Sequence, residues 1–326
     1  MGDAYLKELE DIHIQNLKDH GFQYRKVLGN GGSAIVVLVQ SINDDDSQEY
    51  AVKIIEIQSN DGFKESILEI DITTQMDNEN VIKLKKYFIC PRPTARDTDD
   101  LYIIMEKMDY SVYDLLSKRW FKNEMPLQNK RAIIRTIMIG AAIGLLHIHE
   151  KKFIHCDFKS QNILVNVNDG IIKEIKVCDF GLSSIIKCVN KVGYTSKHHC
   201  DPMSDSVCGI SSCGSRNGVG TRGYQAAEVD KKGGKCFYGS SVDIVSFGQV
   251  YVDLLCSLLD EKEGKACNKF AKDNGELNDE FKKHFPKESE LIEQMINVNK
   301  GNRPSAANLL KRFIDERLEK RNIEFN

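Results

Sequence analysis

The sequence predicts an α+β chain in two lobes, a small sheet-bearing lobe followed by a larger, mainly helical one. From Phe22 to Met105 the apolar residues fall in short, β-branched runs broken by turn residues. After Met108 the apolar spacing becomes mostly helical to the end of the chain. Size is the third observation: 326 residues, 41% of them hydrophobic, supply a large core and exceed what one small domain needs.

Residues 1–20 read as a short amphipathic helical extension, with Tyr5, Leu6, Leu9 and Ile12 near one face. Strands are predicted at 24–28, 34–40 and 49–57, with 43–47 as the turn between the second and third. A helix follows at 61–76, with Ile67, Ile70 and Ile72 as its apolar positions, then strands at 82–89 and 101–105. The longest apolar stretch, 133–146, is interrupted by Arg135 and Thr136 and reads as a buried helix. The segment 187–222, rich in Gly, Ser and Cys, is long enough to mark a functional or disordered loop. The closing stretch 306–321 alternates charges and reads as a solvated helix.

A net charge of −3 argues against a dedicated nucleic-acid binder. With no uninterrupted run of 18 apolar residues, no membrane span is expected. The N-terminus lacks a signal-peptide core, and Leu6 stands where myristoylation wants Ser or Thr. Ten cysteines without a compact framework suggest reduced thiols in an intracellular setting, cytoplasmic or nuclear.

Four constellations carry chemistry. Asp157, Lys159 and Asn162 stand at the spacing of a D-x-K-x-x-N loop between strand-like apolar residues. In such a loop the aspartate can take a hydroxyl proton, the lysine can neutralise a transferring phosphate, and the asparagine can hold a metal. Leu28, Gly29, Asn30, Gly31 and Gly32 lie between two predicted strands, so the run is either a phosphate-approaching loop or a glycine-rich hairpin. Lys53 interrupts an apolar strand, where an ammonium needs an anion; Glu69 and Glu65 on the next helix are the candidates, and snorkelling to solvent is the alternative. Asp179 ends an apolar strand before Phe180 and Gly181, either as a magnesium ligand or as a plain turn.

Together and in this order, the glycine loop, strand lysine, helix glutamate, D-x-K-x-x-N loop and D-F-G resemble the eukaryotic protein kinase family over residues 22–316. Three further stretches resemble that family: 220–228, ending in Ala226-Ala227-Glu228; 243–248, from Asp243 to Gly248; and Asn302-Arg303-Pro304, whose arginine would pair with Glu228. The resemblance implies a bilobal fold, with a small antiparallel sheet lobe carrying one main helix (21–108) and a larger helical lobe (109–316). The latter would hold an activation segment at 179–228, and a tail at 317–326 would follow. It implies ATP and Mg2+ as cofactors and Ser/Thr-bearing protein substrates. Lys53, positioned by Glu69, would hold the α- and β-phosphates. Asn162 and Asp179 would bind metal, Asp157 would deprotonate the acceptor hydroxyl, and Lys159 would stabilise the γ-phosphate. Met105 would be the gatekeeper, Glu106 to Met108 the adenine-binding hinge, and Val36, Ala51 and Leu164 the walls around adenine. His155, Phe180 and Leu84 would form an internal spine, with the polar Thr73 as fourth member. Lys159 and Thr221 are similar to the serine/threonine kinases, and Lys-Ser-Gln-Asn and Asp-Phe-Gly-Leu-Ser to their tyrosine-kinase-like group.

Three residues depart from the family pattern. Ala34 replaces the third glycine of the loop, Ala227 replaces a proline, and Cys156 replaces the arginine that grips a phosphorylated activation segment. These departures motivate two expectations: activity independent of activation-segment phosphate, or a pseudokinase scaffold that binds nucleotide. The 50 residues from Asp179 to Glu228 include Cys188, His198, His199, Cys200, Cys208 and Cys213, which suit zinc by type but lack a C-x-x-C knuckle.

Overall fold

The computed structural model describes residues 9–31, 34–42, 47–92, 98–186, 219–229 and 239–324. The chain divides into two compact units, Met1–Asp77 with Ile82–Met108, and Asn78–Val81 with Asp109–Asn326.

The first unit is an antiparallel sheet with a helix on each face. Its strands are β1 (Phe22–Asn30), β2 (Ala34–Ser41), β3 (Glu49–Ile57), β4 (Leu84–Pro91) and β5 (Asp99–Glu106), in the spatial order β1-β2-β3-β5-β4. Because strand residues two apart share a face, the β-branched runs sort into two apolar surfaces. Val37, Val39, Val52, Ile54, Tyr102 and Ile104 meet Leu9 and Leu17 at helix α1 (Asp11–Asp19). Ile57, Leu101 and Ile103 meet Ile70 of helix α2 (Asn60–Gln75) on the other side. Two apolar faces differ from expectation. Among the described residues of the N-terminal segment, Leu9, His13 and Leu17, four apart, are buried, whereas Ile12 lies at the margin, and Tyr5 and Leu6 lie outside the described residues. On α2 Ile67 is 40% exposed, while Ser66, Glu69 and Thr73 are buried, because the face toward the sheet carries the polar residues of the site. The expected turn at 43–47 falls mostly outside the described residues.

α1 is tied down by a buried polar cluster as well as by leucines. His13 Nδ1 lies 2.8 Å from the Tyr102 hydroxyl and 3.6 Å from Asp100, and Arg92 approaches His13 Nε2 at 3.2 Å. A guanidinium only donates, so His13 keeps a lone pair on Nε2 and is neutral. Burial, opposed by Asp100 and assisted by Arg92, holds the imidazole below its ordinary 6.5; Glu10 and Glu56 also face it.

The second unit is built around helices. In chain order it contains β6 (Tyr110–Ser111), α3 (Val112–Ser117), α4 (Leu127–Glu150), β7 (Phe153–Ile154), β8 (Ile163–Asn168), β9 (Ile171–Val177), β10 (Ser184–Ile185), α5 (Ser241–Cys256), α6 (Glu261–Asn274), α7 (Asp279–His284), α8 (Pro286–Met295) and α9 (Ala306–Glu324). The short strands form sheets ordered β6-β8-β9 and β10-β7. By length and composition α4 could cross a membrane; here most of its apolar window is buried inside the unit. Gly144 lets β9 and its neighbour approach α4: a Cβ there would sit 2.4 Å from the Asn80 carbonyl oxygen and 2.9 Å from Val177. α5 is buried on every side, its polar residues Asp243, Ser246, Gln249 and Asp253 included. The expectation of a solvated α9 is corrected, because Ala306, Leu309 and Phe313 are buried. The Phe313 ring meets those of Phe247 and Tyr251 on α5, while the described charged residues Lys311, Asp315 and Arg317 are exposed.

The His13 cluster makes stability depend on pH. The folded-state pKa lies below the unfolded one, so the unfolded chain binds more protons. Stability is therefore complete above about 6.5 and falls as pH drops below it. Urea unfolding of wild type against His13→Gln between pH 7.5 and 5.5 should show this slope only in wild type; equal slopes would remove His13 as its source.

Candidate active site

The sheet register of the first unit collects the residues expected around a nucleotide. Val36 pairs with Lys53, and Ala51 with Met105, so all four lie on the face that α2 partly covers. Lys53 Nζ donates to Glu69 Oε1 at 2.6 Å, with both side chains largely buried. Glu69, one of the two candidates, is thus a partner of Lys53, and breaking such a pair costs about 3–5 kcal/mol. Glu69 reaches inward because it follows Ser66 and precedes Thr73 on the buried face of α2. Thr73, the polar spine candidate, is buried but satisfied, since its hydroxyl donates to the Glu69 carbonyl at 2.6 Å.

At the end of β1, Gly29 and Asn30 pair with Val36 and Ile35, and the Gly31 amide donates to the Ala34 carbonyl at 2.9 Å, so alanine at 34 leaves the hairpin intact. Leu28 beside it is 44% exposed. Gly32 lies outside the described residues. Glu106 ends β5, its carboxylate accepting the Lys83 amide at 2.8 Å, and Met108 is the last residue of the unit.

In the second unit, Asp157, Lys159 and Asn162 come together as expected. Lys159 Nζ lies 2.6 Å from Asp157 Oδ2, and Asn162 Nδ2 donates to the Asp157 carbonyl at 2.9 Å. Thr221 completes the set: its hydroxyl donates to Asp157 Oδ1 at 2.6 Å and accepts from Lys159 at 2.8 Å. Asp157 is therefore held at both oxygens by groups whose geometry fixes the carboxylate for a proton acceptor.

Cys178 helps fasten the next segment to this loop. The Cys178 amide donates to the Asn162 carbonyl at 2.9 Å, and His155 Nε2 donates to the Cys178 carbonyl at 3.0 Å. Asp179 follows directly, with φ 69°, and the buried Phe180 ring lies 5.4 Å from His155. With its amide nitrogen turned to Asp157, Asn162 keeps its carbonyl oxygen for a cation. That oxygen and the Asp179 carboxylate are the hard donors magnesium takes. Leu164 lies on β8 in this same unit.

The loop rests on Asp243, which is fully buried. Its carboxylate accepts the His155 amide at 2.8 Å, the Cys156 amide at 2.9 Å and His149 Nε2 at 2.9 Å. Cys156 thus sits at φ 65°, a conformation that costs a non-glycine residue about 1–3 kcal/mol. Arg303 grips Glu228 through two bonds, 2.5 and 2.9 Å, as the motif implied. The Asp243 contacts and the Thr221 bridge were not read from the sequence. A carboxylate at the start of an apolar helix was the available signal for the first; nothing local signalled the second. The six Cys and His positions considered for zinc lie outside the described residues.

Residues 22–314 match the family model of the protein kinase domain. The G-type lectin S-receptor-like serine/threonine-protein kinase LECRK3 of Oryza sativa subsp. indica is 31% identical over 239 residues, 72% of this chain and 24% of that protein. LECRK4 of subsp. japonica is 29% identical over 236 residues, with the same coverages. Mitogen-activated protein kinase 1 of subsp. japonica is 24% identical over 231 residues, 70% of this chain and 48% of that protein. The chain spans about a quarter of the length of the first two relatives and about half of the third.

Removing the Asp243 carboxylate leaves two buried amides and a histidine without their acceptor. Asp243→Ala should lower the urea-unfolding free energy by about 3–5 kcal/mol, and Asp243→Asn, which keeps one acceptor, by less. A loss under about 1 kcal/mol for the alanine variant would contradict this role.

Proposed function

This chain belongs to the protein kinase family, and we propose that it transfers the γ-phosphate of ATP to serine and threonine hydroxyls of protein substrates. The observation that carries this reading is the hydrogen-bonded set Asp157, Lys159 and Thr221, with the Lys53–Glu69 pair supporting it.

Asp157 accepts the proton of the attacking hydroxyl and Lys159 offsets charge on the transferring phosphate. Lys53, held by Glu69, binds the α- and β-phosphates. A magnesium ion held here would supply positive charge to offset that of the phosphates. Asn162 and Asp179 supply its oxygen ligands. Val36 and Ala51 flank adenine, while Met105, Glu106 and Met108 line its polar edge, with Leu28 and the glycine loop beside the phosphates. The reading extends to an intracellular setting and to independence from activation-segment phosphate. Cys156 supports the latter: a thiol offers no charge-assisted grip on a phosphate, and the loop is held by Asp243 through backbone amides instead.

Incubation with labelled ATP, Mg2+ and a degenerate Ser/Thr peptide library tests the transfer. Asp157→Ala and Lys53→Met should each lower it by about a hundredfold or more; equal signals from wild type and both variants would leave the nucleotide-binding scaffold as the reading. Alanine at every Ser and Thr of 183–215 should leave turnover within about threefold of wild type if no segment phosphate is needed, and a loss as large as that of Asp157→Ala would overturn the independence.

A further inference from the structure

A second buried carboxylate on α5 gathers the substrate-facing segment, the loop and α6 into one polar network. Asp253 is 7% exposed. Its Oδ2 accepts from Ser160 at 3.1 Å and from the Tyr224 hydroxyl, and its Oδ1 accepts from Asn268 at 2.8 Å and pairs with Lys272 at 2.6 Å. Lys272 Nζ also donates to the Tyr224 hydroxyl at 3.0 Å and sits 4.3 Å from that ring's centroid. Burial and Asp253 push the Tyr224 phenol up, so it stays a donor. The stem of Lys272 lies over Gly223, where a Cβ would come within 3.1 Å of it.

α6 therefore holds residues 223 and 224, while Thr221, two residues earlier, is bonded to Asp157 and Lys159. Ser160, next to Lys159, reaches the same Asp253. Of the donors on that carboxylate, Lys272 alone carries the charge that offsets it. Resting on the kinase reading above, we infer that Lys272 is a positioning residue for the substrate-facing segment 219–229: it fixes Tyr224 against Asp253 and so sets where Thr221 meets Asp157.

Lys272→Met keeps the stem over Gly223 and removes the charge and donor; Lys272→Arg keeps both. Hydrogen exchange on the full-length protein should show amides of 219–226 exchanging about tenfold faster in the methionine variant, with α4 and the five-stranded sheet unchanged and the arginine variant close to wild type. With the best acceptor peptide from the library, the methionine variant should raise the peptide KM about tenfold and leave the ATP KM unchanged. Unchanged exchange at 219–226, a uniform rise across the chain, or an arginine variant as impaired as the methionine one would overturn the inference. If wild-type protein transfers no phosphate, the proposed function fails, and the exchange pattern alone still decides the role of Lys272.

Discussion

The second unit depends on the fully buried carboxylate of Asp243. An anion removed from water costs several kcal/mol unless donors surround it, and here two of its donors are backbone amides of the loop itself, at His155 and Cys156. The requirement works in both directions. Asp243 needs those amides, and the left-handed Cys156 backbone is tolerable because Asp243 holds it. Ten residues further along the same helix, Asp253 takes Ser160. Both ends of the segment 155–160 are thereby fastened to α5, which is buried on every side and has little freedom to move. Asp157 and Lys159, between the two anchors, inherit that rigidity.

The first unit solves a different problem, that of keeping a lysine charged inside an apolar strand. Pleating puts Lys53 on the sheet face toward α2, and the helix presents Glu69 between the buried Ser66 and Thr73. The opposite face must then be closed by something else, and α1 does this with Leu17 and the His13 cluster. Leu9 and Leu17 are thus part of the packing of the sheet that carries Lys53.

Strands and motifs were legible because each leaves a local trace. β-branched alternation marks β1 to β5, and the fixed spacing of Asp157, Lys159 and Asn162 survives without any knowledge of their surroundings. Contacts that join distant segments left none unless a family motif carried them, as it did for Arg303 and Glu228. His13 reads as a surface residue until Tyr102 and Arg92, some 80 to 90 positions away, are brought to it. The charges of α9 conceal the spacing of Leu309 and Phe313, because a helix needs only a narrow apolar stripe to dock. Lys272 looks like any helix-surface lysine, and only the fold supplies Asp253 and Tyr224 as its partners.

The departure at Cys156 takes on a definite physical meaning in this frame. Two of the contacts that place this residue are made by its backbone. Its amide goes to Asp243, and its carbonyl oxygen packs so closely on Gly220 that a Cβ there would lie 2.4 Å from it. Gly220, at φ 101°, in turn leads directly into Thr221 and its bonds to Asp157. Exchanging arginine for cysteine therefore leaves the position of Asp157 to the same backbone contacts. It alters only what the side chain can receive, since a thiol lacks the fixed positive fork that recognises a phosphate. The substitution separates two properties that an arginine would combine at one position, the shape of the catalytic loop and its responsiveness to a nearby anion, and it retains the first.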